Sequence, residues 1–131
     1  MEPPLIGMLH LPPFLADVDV KHSSPLCEIP LENEVEDLIQ RGLADAVIVS
    51  GSSTGRAASI EQLRRAKQAA GDCPVYVGSG VTPENIGAFW KDGRADGFIV
   101  GSSLKRDGAT SQPVDVARVK ALVTAFDQCA S

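Results

Sequence analysis

Lysine and arginine are too few and too scattered in this sequence to build a basic face. There are 12 of them against 17 acidic residues, a formal charge of −5, with no cationic run anywhere. Nucleic acid and anionic membrane surfaces are held by clustered cations, so neither is expected as a partner. Cysteine is also sparse. Cys27, Cys73 and Cys129 are odd in number and far apart, which argues against a disulfide framework or a zinc knuckle. Half-buried thiols in a reducing compartment are the expectation. No apolar run approaches a membrane span, and the first residues show neither a secretory apolar core nor an Arg-rich amphipathic leader, so a cytoplasmic protein is expected. Neither histidine has metal-site spacing, and no metal or cofactor is expected. Aromatic residues make up only 5% of the 131 residues, while 44% are hydrophobic. The core must therefore be aliphatic, and there is enough of it for one domain.

The most informative stretch is Val75 to Lys105. Two short apolar runs each break into a glycine-serine turn: one into Gly78-Ser79-Gly80, the other into Gly101-Ser102-Ser103. Between them Thr82-Pro83 starts a helix, with Thr82 as its cap and Pro83 at its first position. A β-branched run too short for a helix, then small residues, then a helix start, is a βα unit. Two in succession give neighbouring parallel strands. The turns leave backbone amides open to an anion, an arrangement that resembles the phosphate cup after the last two strands of a TIM barrel.

Earlier in the chain, Leu5 to Leu11 is a proline-bracketed apolar run and reads as one strand. Asp17 to His22 alternates, with Val18 and Val20 on one face and Asp17, Asp19 and Lys21 on the other. Leu31, Val35, Leu38 and Ile39 lie on one helical face, and Gly42 stops that helix. Asp45 to Val49 is an apolar strand opening into Ser50 to Arg56. Ser59 to Gln62 is a capping box that begins a helix through Ala70. Ile86, Phe89 and Trp90 face the core of the next helix. Gly97 to Val100 is the last strand, and Asp115 caps a final helix with Val116, Val119, Val123 and Phe126 as its stripe. The count is five strands and four main helices. Only Pro12 to Ala16 separates the first strand from the second, too little for a parallel crossover.

Four segments in order, Ile6 to Pro13, Asp19 to Leu26, Ala44 to Gly55 and Val77 to Lys105, resemble the BtpA family of TIM-barrel proteins, named for a member linked to photosystem I biogenesis. The resemblance implies an α/β fold, a partial (β/α)8-like barrel whose second to fourth βα units are missing. Such barrels run to about 250 residues. The first strand then joins directly to what resembles the fifth, giving an open sheet ordered 5-6-7-8-1 in a single domain, with 1–13 as first strand and 17–131 as the C-terminal half. An exposed fifth-strand edge invites self-association.

Working residues of such a fold stand at the carboxyl ends of the strands. That rule selects His10, Lys21 and Asp19 for acid–base work. For phosphate or substrate it selects Ser50, Gly51, Thr54, Gly55, Gly78, Ser79, Gly80, Gly101, Ser102 and Ser103. Each has a plainer alternative: a histidine satisfied by backbone carbonyls, a Lys21–Asp19 ion pair, or glycines serving only tight turns. Three functions stay open: an enzyme acting on a small phosphorylated metabolite (a class that includes nucleoside-like ones), a non-catalytic assembly factor, and a shortened isoform without independent activity.

Overall fold

The computed structural model of the chain describes residues 13–18, 29–51 and 58–131. Four strands, β1 (Leu15–Val18), β2 (Ala46–Ser50), β3 (Val75–Gly78) and β4 (Gly97–Ile99), form one parallel sheet in the order β1-β2-β3-β4. Four α-helices accompany them: α1 (Leu31–Gln40), α2 (Ile60–Ala70), α3 (Ile86–Lys91) and α4 (Val116–Ala130). Two 3-10 turns, Ser102–Leu104 and Arg106–Gly108, lie between β4 and α4. Consecutive strands are parallel neighbours, as expected for the chain from Asp17 onward. The count among the described residues is four strands instead of five, because the expected first strand, Leu5 to Leu11, lies outside them. β1 also begins earlier than Asp17, since Leu15 and Ala16 already pair with Ala46 and Val47.

Alternation along the strands sorts the side chains. Ala16 and Val18, Val47 and Val49, and Val75 and Val77 are buried. All but Ala16 join Val35 of α1, Leu63 and Ala66 of α2, Phe89 of α3 and Leu122 of α4 in one core cluster. Burying each such side chain is worth roughly 1.5–3 kcal/mol, so this layer is what holds the domain together. The opposite parity is open: Leu15 is 40% and Ile99 46% exposed, and Ile48 and Tyr76 are half-buried.

A four-residue repeat sets the sheet register. Gly42-Leu43-Ala44-Asp45 and Gly93-Arg94-Ala95-Asp96 each lead out of a helix into a strand. In both, the amide of the glycine closes on the helix, Gly42 to the Asp37 carbonyl at 2.9 Å and Gly93 to that of Ala88 at 3.0 Å. The next residue turns left-handed, Leu43 at φ 56° and Arg94 at φ 57°. The aspartate then clamps the adjacent strand: Asp45 Oδ2 accepts from the Phe14 amide and Asp96 Oδ2 from the Val75 amide, each at 2.7 Å. Their own amides donate back to the Phe14 and Val75 carbonyls at 2.8 and 2.9 Å. Two left-handed non-glycine residues cost about 1 kcal/mol each, offset by these paired bonds.

The capping box is present as expected. The Gln62 amide donates to Ser59 Oγ at 3.0 Å and the Ser59 amide to Gln62 Oε1 at 3.2 Å. Ser59→Ala should therefore cost about 1 kcal/mol of unfolding free energy, read as a lower urea midpoint with an unchanged slope. Two local expectations are corrected. Thr82 does not cap α3 with its side chain; the helix starts one turn later, at Ile86, because Asn85 Oδ1 takes the Thr82 amide at 2.8 Å. On α4, Asp115 caps as expected, accepting from the Ala117 amide at 2.9 Å. The buried residue there is Leu122, however, while Val116 and Val123 are 66% and 51% exposed. The helix is rotated so that Phe126 meets Trp90 and Phe98 in an edge-on trio, with centroids 5.1 and 5.9 Å from it. Trp90 is half-buried in this trio and Phe89 is the fully buried aromatic.

On the surface, Arg65 grips Glu32 with two bonds of 2.5 and 2.8 Å, tying α2 to α1. The bonds from Arg65 hold the Glu32 carboxyl at a pKa of about 2, below its usual value of 4.5. A lowered carboxylate pKa gives stability that is complete above pH 4.5 and is lost as pH falls towards about 2. Glu32→Gln should flatten the acid limb of the stability profile in that window, measured by urea unfolding at successive pH values. Both partners are exposed, so the effect is small.

Candidate functional site

Carboxyl ends of parallel strands gather the expected binding residues, and here two of them stand side by side. Ser50 is in register with Gly78, and Gly78 with Ile99. Gly78 is a glycine for a steric reason: a Cβ there would lie 2.8 Å from Ile48 Cγ2 and 3.1 Å from Ser50 Oγ. On its other side the Ser50 hydroxyl reaches the neighbouring strand β1, donating to Asp17 Oδ1 at 3.1 Å. Asp17, half-buried, stands beside the candidate residue Ser50, although it lies outside the four segments that resemble the family. The alternation Asp17-Val18 was the signal, because it puts the carboxylate on the face opposite the helices.

The two glycine-serine turns are joined. Ser103 Oγ donates to the Val81 carbonyl at 2.7 Å, so the 3-10 turn after β4 rests against the turn after β3. That second turn is strongly bent, with Ser79 and Gly80 both left-handed at φ 73° and 71°. Asn85 locks it: its Nδ2 donates to the Gly80 carbonyl at 2.7 Å while its Oδ1 holds the Thr82 amide. These bonds hold the Gly80–Val81 and Val81–Thr82 peptides and so fix the shape of the turn. Ser102 and Ser103 open a 3-10 turn, where the first amides have no acceptor within the turn. A short run of such amides favours an anion.

Beside the joined turns is a cavity of about 270 Å³ lined by Thr82, Glu84, Ser103, Leu104, Arg118 and Leu122. Arg118 Nη1 donates to the Ser103 carbonyl at 3.2 Å, placing a guanidinium next to the turn. This cation had no local sequence signal, being brought in by α4 from 15 residues away. The Glu84 carboxyl there is pushed below its usual value by the Thr82 hydroxyl and by its own amide.

Of the other expected site residues, Gly51 is buried at the end of β2, and Gly101 is exposed ahead of the 3-10 turn. His10, Asp19, Lys21, Thr54 and Gly55 lie outside the described residues. Among the described residues no group of three or more His, Cys, Asp or Glu is placed to hold a metal ion, and no helix is long and apolar enough to cross a membrane.

Comparison with known proteins reaches the same part of the chain. A model described as the BtpA family matches residues 13–128. The chain is 46% identical over 113 residues to the photosystem I biogenesis protein BtpA of Synechocystis, covering 86% of this chain and 39% of that protein. An uncharacterised protein of Methanocaldococcus jannaschii is 44% identical over 108 residues, covering 82% of this chain and 40% of its own length. A mitochondrial uncharacterised protein of Caenorhabditis elegans is 36% identical over 108 residues. The chain thus spans about two fifths of the length of the curated relatives it matches.

Proposed function

This chain belongs to the BtpA family, and from that premise we propose that it is the C-terminal half of a TIM-barrel-like domain that binds a small phosphorylated metabolite. The phosphate sits where the turns after β3 and β4 meet, held by amides of Gly80 and Ser102–Ser103 with Arg118 alongside. The observation that carries this reading is the Ser103 hydroxyl on the Val81 carbonyl, which makes one pocket from two turns. His10, Lys21 and Asp19, which lie outside the described residues, are the acid–base candidates, and the Asp17–Ser50 pair stands at the carboxyl end of the sheet. Arg118 is the cation beside the amide-lined cup, on a molecule whose overall charge of −5 does not itself attract anions.

Thermal unfolding in the presence of inorganic phosphate, phosphosugars and nucleoside monophosphates tests the reading. A ligand at 100 times its dissociation constant stabilises by about 2.7 kcal/mol, a shift of several degrees for a domain of this size. A nucleoside monophosphate that shifts the midpoint more than phosphate alone would assign the nucleoside-like class. No shift with any phosphate at saturating concentration would overturn the proposal.

A further inference from the structure

Parallel sheets are almost always covered on both faces, yet here the helices cover one. On the open face, the two strongly exposed apolar residues of the sheet are Leu15 and Ile99. They stand on β1 and β4, the first and last strands of the order. The ladder pairs Leu15 with Ala46, Val47 with Val75 and Tyr76 with Gly97. The row that starts at Leu15 therefore passes through Ala46 and Pro74 to Ala95.

A (β/α)8 barrel has eight strands and a register shift of eight residues per circuit. Its strands coil right-handed, so a row followed in chain order drops towards lower residue numbers. Half a circuit, four strands, drops it by four. If a second copy supplies the other four strands, the row at Ala95 meets the partner four residues before its Leu15. Moving up both strands by four sets Ile99 directly opposite the partner's Leu15. The same pairing recurs at the second junction by two-fold symmetry.

We infer that this chain forms a closed two-fold dimer, β4 of each copy pairing in parallel with β1 of the other, with Ile99 packed on the partner's Leu15. The inference rests on the half-barrel reading above. The occupant of the open face is a second copy because the register is self-complementary: the two exposed apolar residues fall into contact only at the shift that closes the barrel. Closure also removes both open edges of the described sheet and encloses Ile48 and Tyr76, since an eight-stranded interior is filled by side chains.

Within one copy Ile99 stands three strand spacings across from Leu15, about 14 Å, and four residues further up its strand, about 13 Å, too far for a disulfide. In a background with Cys27, Cys73 and Cys129 changed to alanine, Leu15→Cys and Ile99→Cys variants are made singly and together. Under mild oxidation the double variant, and a mixture of the two single variants, should give a covalent dimer on a non-reducing gel. Each single variant alone should not. The unmodified chain should sediment at twice 13.8 kDa, and Ile99→Lys should abolish that species while leaving a folded monomer by circular dichroism. A monomer at every soluble concentration would overturn the inference, as would a dimer without the crosslink, the results expected if the chain's own Leu5–Leu11 run or a different protein covers the face. Phosphate titration of the same samples separates the two proposals: a monomer that still binds phosphate defeats the dimer alone, and a crosslinked dimer that ignores phosphate defeats the binding site alone.

Discussion

Leu63→Ala should lower the unfolding free energy by about 3 kcal/mol, Gly93→Ala by about 2 kcal/mol, and the double variant by less than their sum. Leu63 is the largest fully buried side chain in the described core. Removing its branched end leaves a cavity between α2 and α3 that the aliphatic neighbours refill only in part. Gly93 is tied to the same spot. A Cβ at Gly93 would lie 2.4 Å from Leu63 Cδ2 and 2.8 Å from the Phe89 carbonyl oxygen. The first clash yields if leucine changes rotamer; the second is with backbone and forces the end of α3 to move. With Leu63 shortened, the alanine methyl enters the vacated space and only the carbonyl clash remains. The coupling should thus be favourable by about 1 kcal/mol, measured by a double-mutant cycle in urea. Additivity within about 0.3 kcal/mol would mean that the two residues do not share the space. Against a total stability of about 5–15 kcal/mol, either single change is a large part of the whole.

The same pair shows how much of the fold could be read from the chain. Gly93 as a helix stop was legible, because glycine ends helices wherever it follows an amphipathic run. Its buried position under Leu63 was not, since that depends on how α2 crosses α3 and no spacing in the sequence encodes a crossing. The strands after Asp45, Val75 and Gly97 were legible because each is a β-branched run between a helix stop and a small-residue turn. The α4 stripe was misread for the opposite reason. Val116, Val119, Val123 and Phe126 fit one helical face, but Leu122 lies on the neighbouring face, and the aromatic trio with Trp90 and Phe98 decides which face turns inward. At the site, glycine and serine types marked the turns correctly. Asn85 and Arg118 were missed because each acts on a turn from a helix, Asn85 five residues beyond Gly80 and Arg118 fifteen beyond Ser103. Such reach is a property of the fold, not of a motif.

Gly80→Asp should weaken phosphate binding by about 100-fold while costing about 1 kcal/mol of stability. Gly80 has φ 71°, a left-handed conformation that glycine adopts freely and aspartate tolerates better than most residues. Asn85 Nδ2 pins the Gly80 carbonyl at 2.7 Å, so the turn keeps its shape and the new carboxylate is added to an intact cup. Hydrogen bonds to a charged group contribute about 1.5–3 kcal/mol, and two of the amide contacts weakened by a neighbouring negative charge correspond to the expected loss at 1.4 kcal/mol per tenfold. Gly80→Asn separates charge from shape, being nearly the same size and equally suited to the left-handed turn. It should lose only a few-fold. Lys21→Ala should leave phosphate binding intact and remove turnover of any substrate the panel identifies, because a lysine suits proton transfer and the proposed cup is built from the amides of other residues. Isothermal titration with inorganic phosphate, run beside urea unfolding, reads all three. If Asp and Asn at position 80 weaken binding equally, the turn matters for its backbone shape and the anion is held elsewhere. If Lys21→Ala and Gly80→Asp lose phosphate alike, the separation between an amide cup after β3 and β4 and an acid–base group after β1 fails, and the mouth of the sheet works as one charged surface.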